Sequence, residues 1–297
     1  MWSCYRASVP SASGDRARQS ARPDGDVGAY GFRLSGPLPP DRLRVRGVTH
    51  WPKLQVEVEP DPVAREGEHV VQRPEGAVCL SRDLRLVRLP GTPETPLSDL
   101  VHPVLAGAGS MAAHARGEVV VHAGAFVGPG GAWVVLGRRE QGKSTLLAEQ
   151  HLRGMPIMAD DITVLRADRV CAGPRCIDLR PDAAHTLELG LDGPVRQGQR
   201  YRVELPPIDG EAPLAGFIEL EWSPQVSLDP LRPAERVKRL LRASGRNPLR
   251  GPEVLLDLAV RPYLVLHRSP TKESSATALS LLHRELDRRA SSSGDRP

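Results

Sequence analysis

Eight residues constrain this chain more than any others: Gly137-Arg138-Arg139-Glu140-Gln141-Gly142-Lys143-Ser144. They satisfy G-x-x-x-x-G-K-[ST], the P-loop pattern, which has chemical meaning only where a strand delivers the chain and a helix carries it away. Both neighbours are legible. Residues 132–136 are an apolar run of strand length, and a helical pattern opens at Lys143 and reaches about residue 152. Glycines at 137 and 142 permit positive φ and close backbone approach, so that successive N–H groups converge on phosphate oxygens. Lys143 brings a mobile charge to the β and γ phosphates, Ser144 can ligate Mg²⁺, and the helix N-terminus adds its dipole. The candidate nucleotide-binding residues are therefore Gly137, Arg138, Arg139, Glu140, Gln141, Gly142, Lys143, Ser144 and Thr145, with ATP and Mg²⁺ as the expected ligands. The bland alternative is a glycine-bearing turn before an ordinary helix. Glu140 is unusual company for phosphate, which it repels unless it faces solvent or pairs with an arginine.

Two further features stand near the loop. Asp160 and Asp161 follow the apolar run 155–159 and precede a short strand expected at 162–165. Phosphoryl transfer needs a carboxylate near Mg²⁺ and, for a hydroxyl acceptor, a group that takes its proton; adjacent aspartates at a sheet edge can divide those roles. A solvated acidic turn is the alternative. His122 lies in an expected strand over 118–126, where a lone histidine is more often a satisfied core residue than a functional one.

Around this centre the chain divides by composition. Residues 1–28 are rich in Ser, Arg, Gly, Asp and Pro and are expected as a disordered leader, and 289–297 as a disordered tail. Residues 29–97 carry short alternating runs, such as 54–58 and 84–89, and predict a small β-rich region with one wet sheet face. A Pro-rich linker at 90–96 leads to the main region, 98–288, which opens with a helix capped by Ser98 and running to about residue 115. Further strands are expected at 216–221 and 263–267, and helices at 233–243, 253–260 and 273–288. The fold class is α/β with a mixed sheet.

Composition excludes several functions. No stretch approaches the roughly 18 apolar residues of a membrane span, so no membrane partner is expected and the cytoplasm is the default location. Forty basic residues against 36 acidic ones give a net charge of only +4, spread along the chain, and aromatics are only 4%, so no nucleic-acid partner is expected. Cys4, Cys79, Cys171 and Cys176 are too scattered for a disulfide framework and read as buried thiols.

Taken together, residues 121–127, 133–137 and 142–146, and the run from Gly154 through Ala159-Asp160-Asp161, resemble the catalytic core of the HPr kinase/phosphorylase family. These kinases are relatives of phosphoenolpyruvate carboxykinase, and similar proteins occur beside genes for ribosomally made peptides, including lasso peptides. The resemblance is best over 118–165 and continues weakly to about 285, with no match to the family's usual N-terminal domain. It implies a P-loop kinase core of the phosphoenolpyruvate carboxykinase type. It places His122 near the γ-phosphate, has Lys143 and Ser144 hold nucleotide and Mg²⁺, and makes Asp160 the candidate base and Asp161 the candidate metal ligand. The family's Glu-x-Arg-Gly-type signature has no counterpart at 173–180, so the resemblance carries over neither phosphorolysis nor HPr as acceptor. Arg175 or Arg180 is a candidate for neutralising transition-state charge, with a surface or ion-paired role as the alternative.

The expected activity is ATP-dependent transfer of the γ-phosphoryl group to a hydroxyl, on a Ser or Thr of a peptide or protein or on a small molecule. A P-loop ATPase without an acceptor and a non-catalytic nucleotide- or peptide-binding pseudokinase are the competing functions. A homo-oligomer is left open.

Overall fold

The computed structural model describes residues 27–92, 94–187, 194–196, 198–244 and 251–293. The expected leader up to residue 26, Cys4 with it, and residues 294–297 of the tail lie outside them.

A six-stranded mixed sheet opens the described chain, with the strands in the spatial order Gly28–Ala29, Phe32–Ser35, Lys53–Glu59, Leu86–Pro90, Gly76–Leu80, His69–Arg73. The expected single wet face holds only at its edge. Strand His69–Arg73 is largely exposed, whereas residues 77–80 and 87–90 are buried in unbroken succession. Helix Leu105–Ala115 packs on the apolar face with Val78, Leu80, Val87 and Leu89, while the face that alternation would have left to water is covered by the segment after Lys53–Glu59: Arg88 pairs with Glu59 and Glu68 and donates to the Val63 carbonyl.

The second sheet has nine strands and holds the site. Its hub is Gly131–Leu136, antiparallel to Gly124–Gly128 on one side and parallel to the long strand Glu211–Trp222 on the other. The continuous apolar run 132–136 suits a strand covered on both faces, and all five residues are buried. The far half of the long strand pairs in parallel with Tyr263–Arg268, while its first residues pair with Arg169–Cys171. From there the ladder passes through Thr163–Arg166 to Val119–Val121.

Two short passages link the ends of this curled sheet. Val119–Val121 continues through His122 and Ala123 into Gly124–Gly128, so the single strand expected over 118–126 is broken at the histidine. Ile157–Ala159 continues through Asp160, Asp161 and Ile162 into Thr163–Arg166. The passages run side by side, because the strands on both sides of each are paired with one another and Thr163 Oγ1 donates to the Ala123 carbonyl at 2.9 Å.

The helix expected from Ser98 to about 115 is interrupted. A short turn, Leu97–Asp99, leads into Leu100–Val104, where His102 is extended (φ −151°, ψ 122°), and regular helix resumes at Leu105–Ala115. Pro103 is the cause: it has no N–H to donate, and its ring drives the preceding residue out of the helical region. The C-terminal helix runs Lys272–Ser293, so residues 289–293, expected in the tail, are helical.

One apolar cluster reaches from Tyr30, Phe32 and Trp51, on the first sheet and its connections, to Val120, Val134 and Phe217 of the second, so the two regions share a core. A second cluster lies on the other face of the hub strand, beneath helices Lys143–Leu152 and Lys272–Ser293. Cys79, Cys171 and Cys176 are buried free thiols, and burial pushes the last two up to about 12.

Candidate functional site

The hub strand ends at Leu136, residues 137–142 form a loop, and helix Lys143–Leu152 follows, so the glycine pattern has the strand-before, helix-after context it requires. Gly137 (φ 147°) and Gly142 (φ 81°) both take conformations closed to most side chains. At Gly142 a Cβ would also come within 2.7 Å of the Arg268 guanidinium. Lys143 folds back over the loop, donating through Nζ to the carbonyls of Gly137 (2.9 Å) and Arg138 (3.2 Å). Burial lowers its pKa, opposed in part by the charges of Asp161 and Asp160. Gln141 Oε1 accepts from the Arg138 N–H at 2.5 Å. Arg138, Arg139 and Glu140 point outward, and Glu140 pairs with Arg180 at 2.5 Å and more loosely with Arg139 at 3.9 Å. The carboxylate that threatened a phosphate is thus turned to the rim and compensated.

The aspartates differ in surroundings. Asp160 is 8% exposed; its Oδ1 accepts from Ser144 Oγ at 2.9 Å and its Oδ2 faces the Asp178 N–H at 3.4 Å. Burial, reinforced by the charge of Asp161, pushes its pKa up to about 7. Asp161, at φ 68°, turns its side chain to the cleft between two histidines, with Oδ1 3.2 Å from His122 Nδ1 and Oδ2 3.7 Å from His102 Nε2. Burial alone would raise Asp161. The hydrogen bond from His122 and the charges of His102, His122 and Lys143 more than offset it and hold the carboxyl well below the usual range. His122 is therefore no satisfied core residue: its side chain is half exposed, on the passage beside the aspartates.

Several participants were missed in the sequence. His102 is brought in by the break at Pro103, and its burial lowers its pKa. Asp178 lies behind Asp160, clamped by Arg202 at 2.7 and 2.8 Å, and the same guanidinium reaches the carbonyl of Ser98 at 2.6 Å. Arg268 donates to the Gly142 carbonyl (3.1 Å), Glu149 (3.2 Å) and Ser275 (2.6 Å), and sits over the Trp222 ring. A proline within an expected helix could have flagged His102. Nothing local could have flagged Arg202 or Arg268, whose partners lie from seven to more than a hundred residues away.

Of the two arginines proposed for transition-state charge, Arg175 is the wrong one. It is 1% exposed and spends its guanidinium on the carbonyls of Ile157, Met158 and Pro206, bracing the strand that carries the aspartates. Arg180 does reach the cleft, paired with Glu140.

The loop residues 139–145, apart from Gln141, both aspartates, His102, His122 and Arg268 open into one cleft of about 800 Å³. Arg138 and Gln141 line a second hollow of about 630 Å³ on the far side of the loop, which His122 also borders. Among the described residues no group of three or more His, Cys, Asp or Glu side chains converges as a metal site, and no helix is long and apolar enough to cross a membrane.

No family model and no curated protein matches the chain. Among solved structures it is similar to the HPr(Ser) kinase/phosphatase from Coxiella burnetii, at 15% identity and a TM-score of 0.30, over 56% of this chain and 95% of that one.

Proposed function

We propose that the chain is an ATP-dependent phosphotransferase that moves the γ-phosphoryl group to a hydroxyl. The observation that carries this is the pairing of Ser144 with Asp160 at 2.9 Å beneath the glycine loop, with Asp161 and His122 joined beside it. Ser144 and Asp160 are hard oxygen donors held together, and Asp160 is a carboxylate short of positive charge, so the pair fits Mg²⁺ shared with the phosphates. When bound, that ion would draw charge off the β and γ phosphates.

The roles favoured by this geometry differ from those the resemblance implied: Asp160 moves to the metal side, and the base role passes to His122, which Asp161 orients. Both Asp160 oxygens are engaged by Ser144 and the Asp178 N–H, which suits a metal-side carboxylate. Asp161 accepts from His122 Nδ1, which orients the ring and leaves Nε2 as the atom that takes the acceptor's proton. In the transfer step the acceptor hydroxyl gives its proton to His122 Nε2 while its oxygen bonds to the γ-phosphorus. The bond from that phosphorus to the β–γ bridging oxygen breaks, and ADP leaves. Lys143, released from the Gly137 and Arg138 carbonyls, meets the γ-phosphoryl charge as it develops.

Titration of the protein with Mg·ATP in a calorimeter, followed by γ-labelled ATP turnover with and without candidate hydroxyl acceptors, tests the assignment. Saturable binding that Lys143→Ala abolishes, with label transferred to an acceptor, is expected. ADP release unaffected by any acceptor would make the protein an ATPase, and no Mg·ATP binding would end the nucleotide assignment.

A further inference from the structure

The large cleft continues past the aspartates to a wall that the phosphoryl-transfer step leaves unused. Arg73 ends the strand His69–Arg73, Arg196 follows the short strand Pro194–Val195, and Arg200 opens the strand Arg200–Glu204; all three line the cleft shared by Lys143 and Asp161. Arg196 lies 3.9 Å from Asp178, whose partner Arg202 reaches the His102 carbonyl at 3.4 Å, and His102 is 3.7 Å from Asp161, so the wall adjoins the His102–Asp161 side of the cleft.

These cations carry little counter-charge among the described residues. Asp178 is held at 2.7 and 2.8 Å by Arg202, and Arg196 approaches it only at 3.9 Å. Glu140 is taken by Arg180. Arg200 donates to the neighbouring Gln199 carbonyl at 3.0 Å, and Arg73 lies over the bare backbone of Gly107, where a Cβ would come within 2.5 Å of its guanidinium. Neither has a carboxylate partner among the described residues. The pKa of Arg200 is lowered, first by burial and then by Arg196 and Arg180, as expected where like charges crowd together. Such a cluster raises the local concentration of anions and is relieved when one binds.

We propose that this wall is the acceptor subsite and that the acceptor is an acidic peptide segment, whose carboxylates dock on Arg73, Arg196 and Arg200 and bring a hydroxyl to His122. Three cations from three separate chain segments suit several carboxylates along an extended chain, where one bidentate fork would suit a single anion. A cleft near the upper end of the roughly 300–1,000 Å³ usual for ligand sites leaves room beyond a nucleotide. The proposal gives the first sheet a part in the site through Arg73, and it rests on the phosphotransfer assignment.

Fluorescence anisotropy with two labelled synthetic peptides, one of alternating Asp and Ser and one of alternating Lys and Ser, tests it on the full chain, with and without saturating Mg·AMP-PNP. The acidic peptide is expected to bind at least about tenfold more tightly, and Arg196→Gln combined with Arg200→Gln to erase the preference while leaving Mg·ATP affinity unchanged. Arg73→Gln should weaken acidic-peptide binding in the same sense. Equal binding of the two peptides, or a preference that survives the double substitution, overturns the proposal. So does displacement by free aspartate as effective as by unlabelled peptide, which would reduce the wall to a small-anion site. A loss of Mg·ATP affinity in the double variant would reassign the arginines to the nucleotide. Failure of the wild-type chain to bind Mg·ATP sinks the phosphotransfer assignment separately, because the peptide comparison is also read without nucleotide.

Discussion

Ser144 Oγ donates to Asp160 Oδ1 across 2.9 Å, joining the first turn of the helix after the glycine loop to the end of strand Ile157–Ala159. Two groups proposed to share one ion should not act independently. Ser144→Ala and Asp160→Asn are each expected to lower phosphoryl transfer by about 10²–10³-fold, and the double variant by little more than the worse single one. Turnover measured across a Mg²⁺ titration checks this; strictly additive losses would separate the two residues.

Asp160 also makes stability depend on pH in an uncommon direction. Its folded pKa of about 7 lies above the ~3.9 of an unfolded aspartate, so between those values the folded state binds more protons than the unfolded one. The stability associated with this proton is present below about pH 4 and is lost as pH rises through about 7. Asp160→Asn, which removes the buried charge, should therefore melt above wild type at pH 8, with the difference shrinking toward pH 5. Asp161 works the other way. Its carboxyl is held below the unfolded value, so its stabilisation is present above about pH 4 and fades as acid reaches its folded pKa. Melting temperatures of the two Asn variants across pH 5–8 separate these effects: the Asp160 difference changes over that range, whereas the Asp161 difference stays flat.

Lys143→Met should leave the fold in place and remove nucleotide binding. The lysine is buried yet donates only to two loop carbonyls, and Met keeps the aliphatic stem. A fall in Mg·ATP affinity of more than about tenfold, with a melting temperature within a few degrees of wild type, is the expected pair of results.

The pair Arg202–Asp178 is a structural clamp behind the site, and Arg202→Ala should cost about 3–5 kcal/mol by leaving Asp178 buried and unpaired. Denaturant unfolding reads this directly. Replacing both partners with apolar residues should cost less than replacing Arg202 alone.

The parts of this site visible in the sequence were those set by neighbouring residues. The loop was legible because two glycines, a lysine and a serine at fixed spacing sit between a buried strand and a helix, and its bounds are Leu136 and Lys143 as expected. Asp160 and Asp161 were legible as a pair, but their opposite environments depend on Ser144, His122 and His102, which only the curled sheet gathers. The break at His122 was hidden because Val119–Val121 and Gly124–Gly128 are both apolar, so no change of period marks the turn from one ladder to another. Arg202 and Arg268 were invisible for a plainer reason: a lone arginine reports nothing about a carbonyl a hundred residues away.

Gly109 faces the Tyr30 ring so closely that a Cβ there would lie 2.3 Å from Cδ2. Gly109→Ala should therefore destabilise by several kcal/mol, through displacement of a fully buried ring. A melting curve within a degree of wild type would refute so tight a contact.

The shared core beneath Tyr30 also bears on how such a chain can change over evolutionary time. Because Tyr30, Phe32 and Trp51 fill the same apolar cluster as Val120, Val134 and Phe217, the first sheet cannot be exchanged for an unrelated module without baring apolar surface on the second. The two regions must drift together, each substitution on one side answered by a change of volume on the other, and so are inherited as one unit.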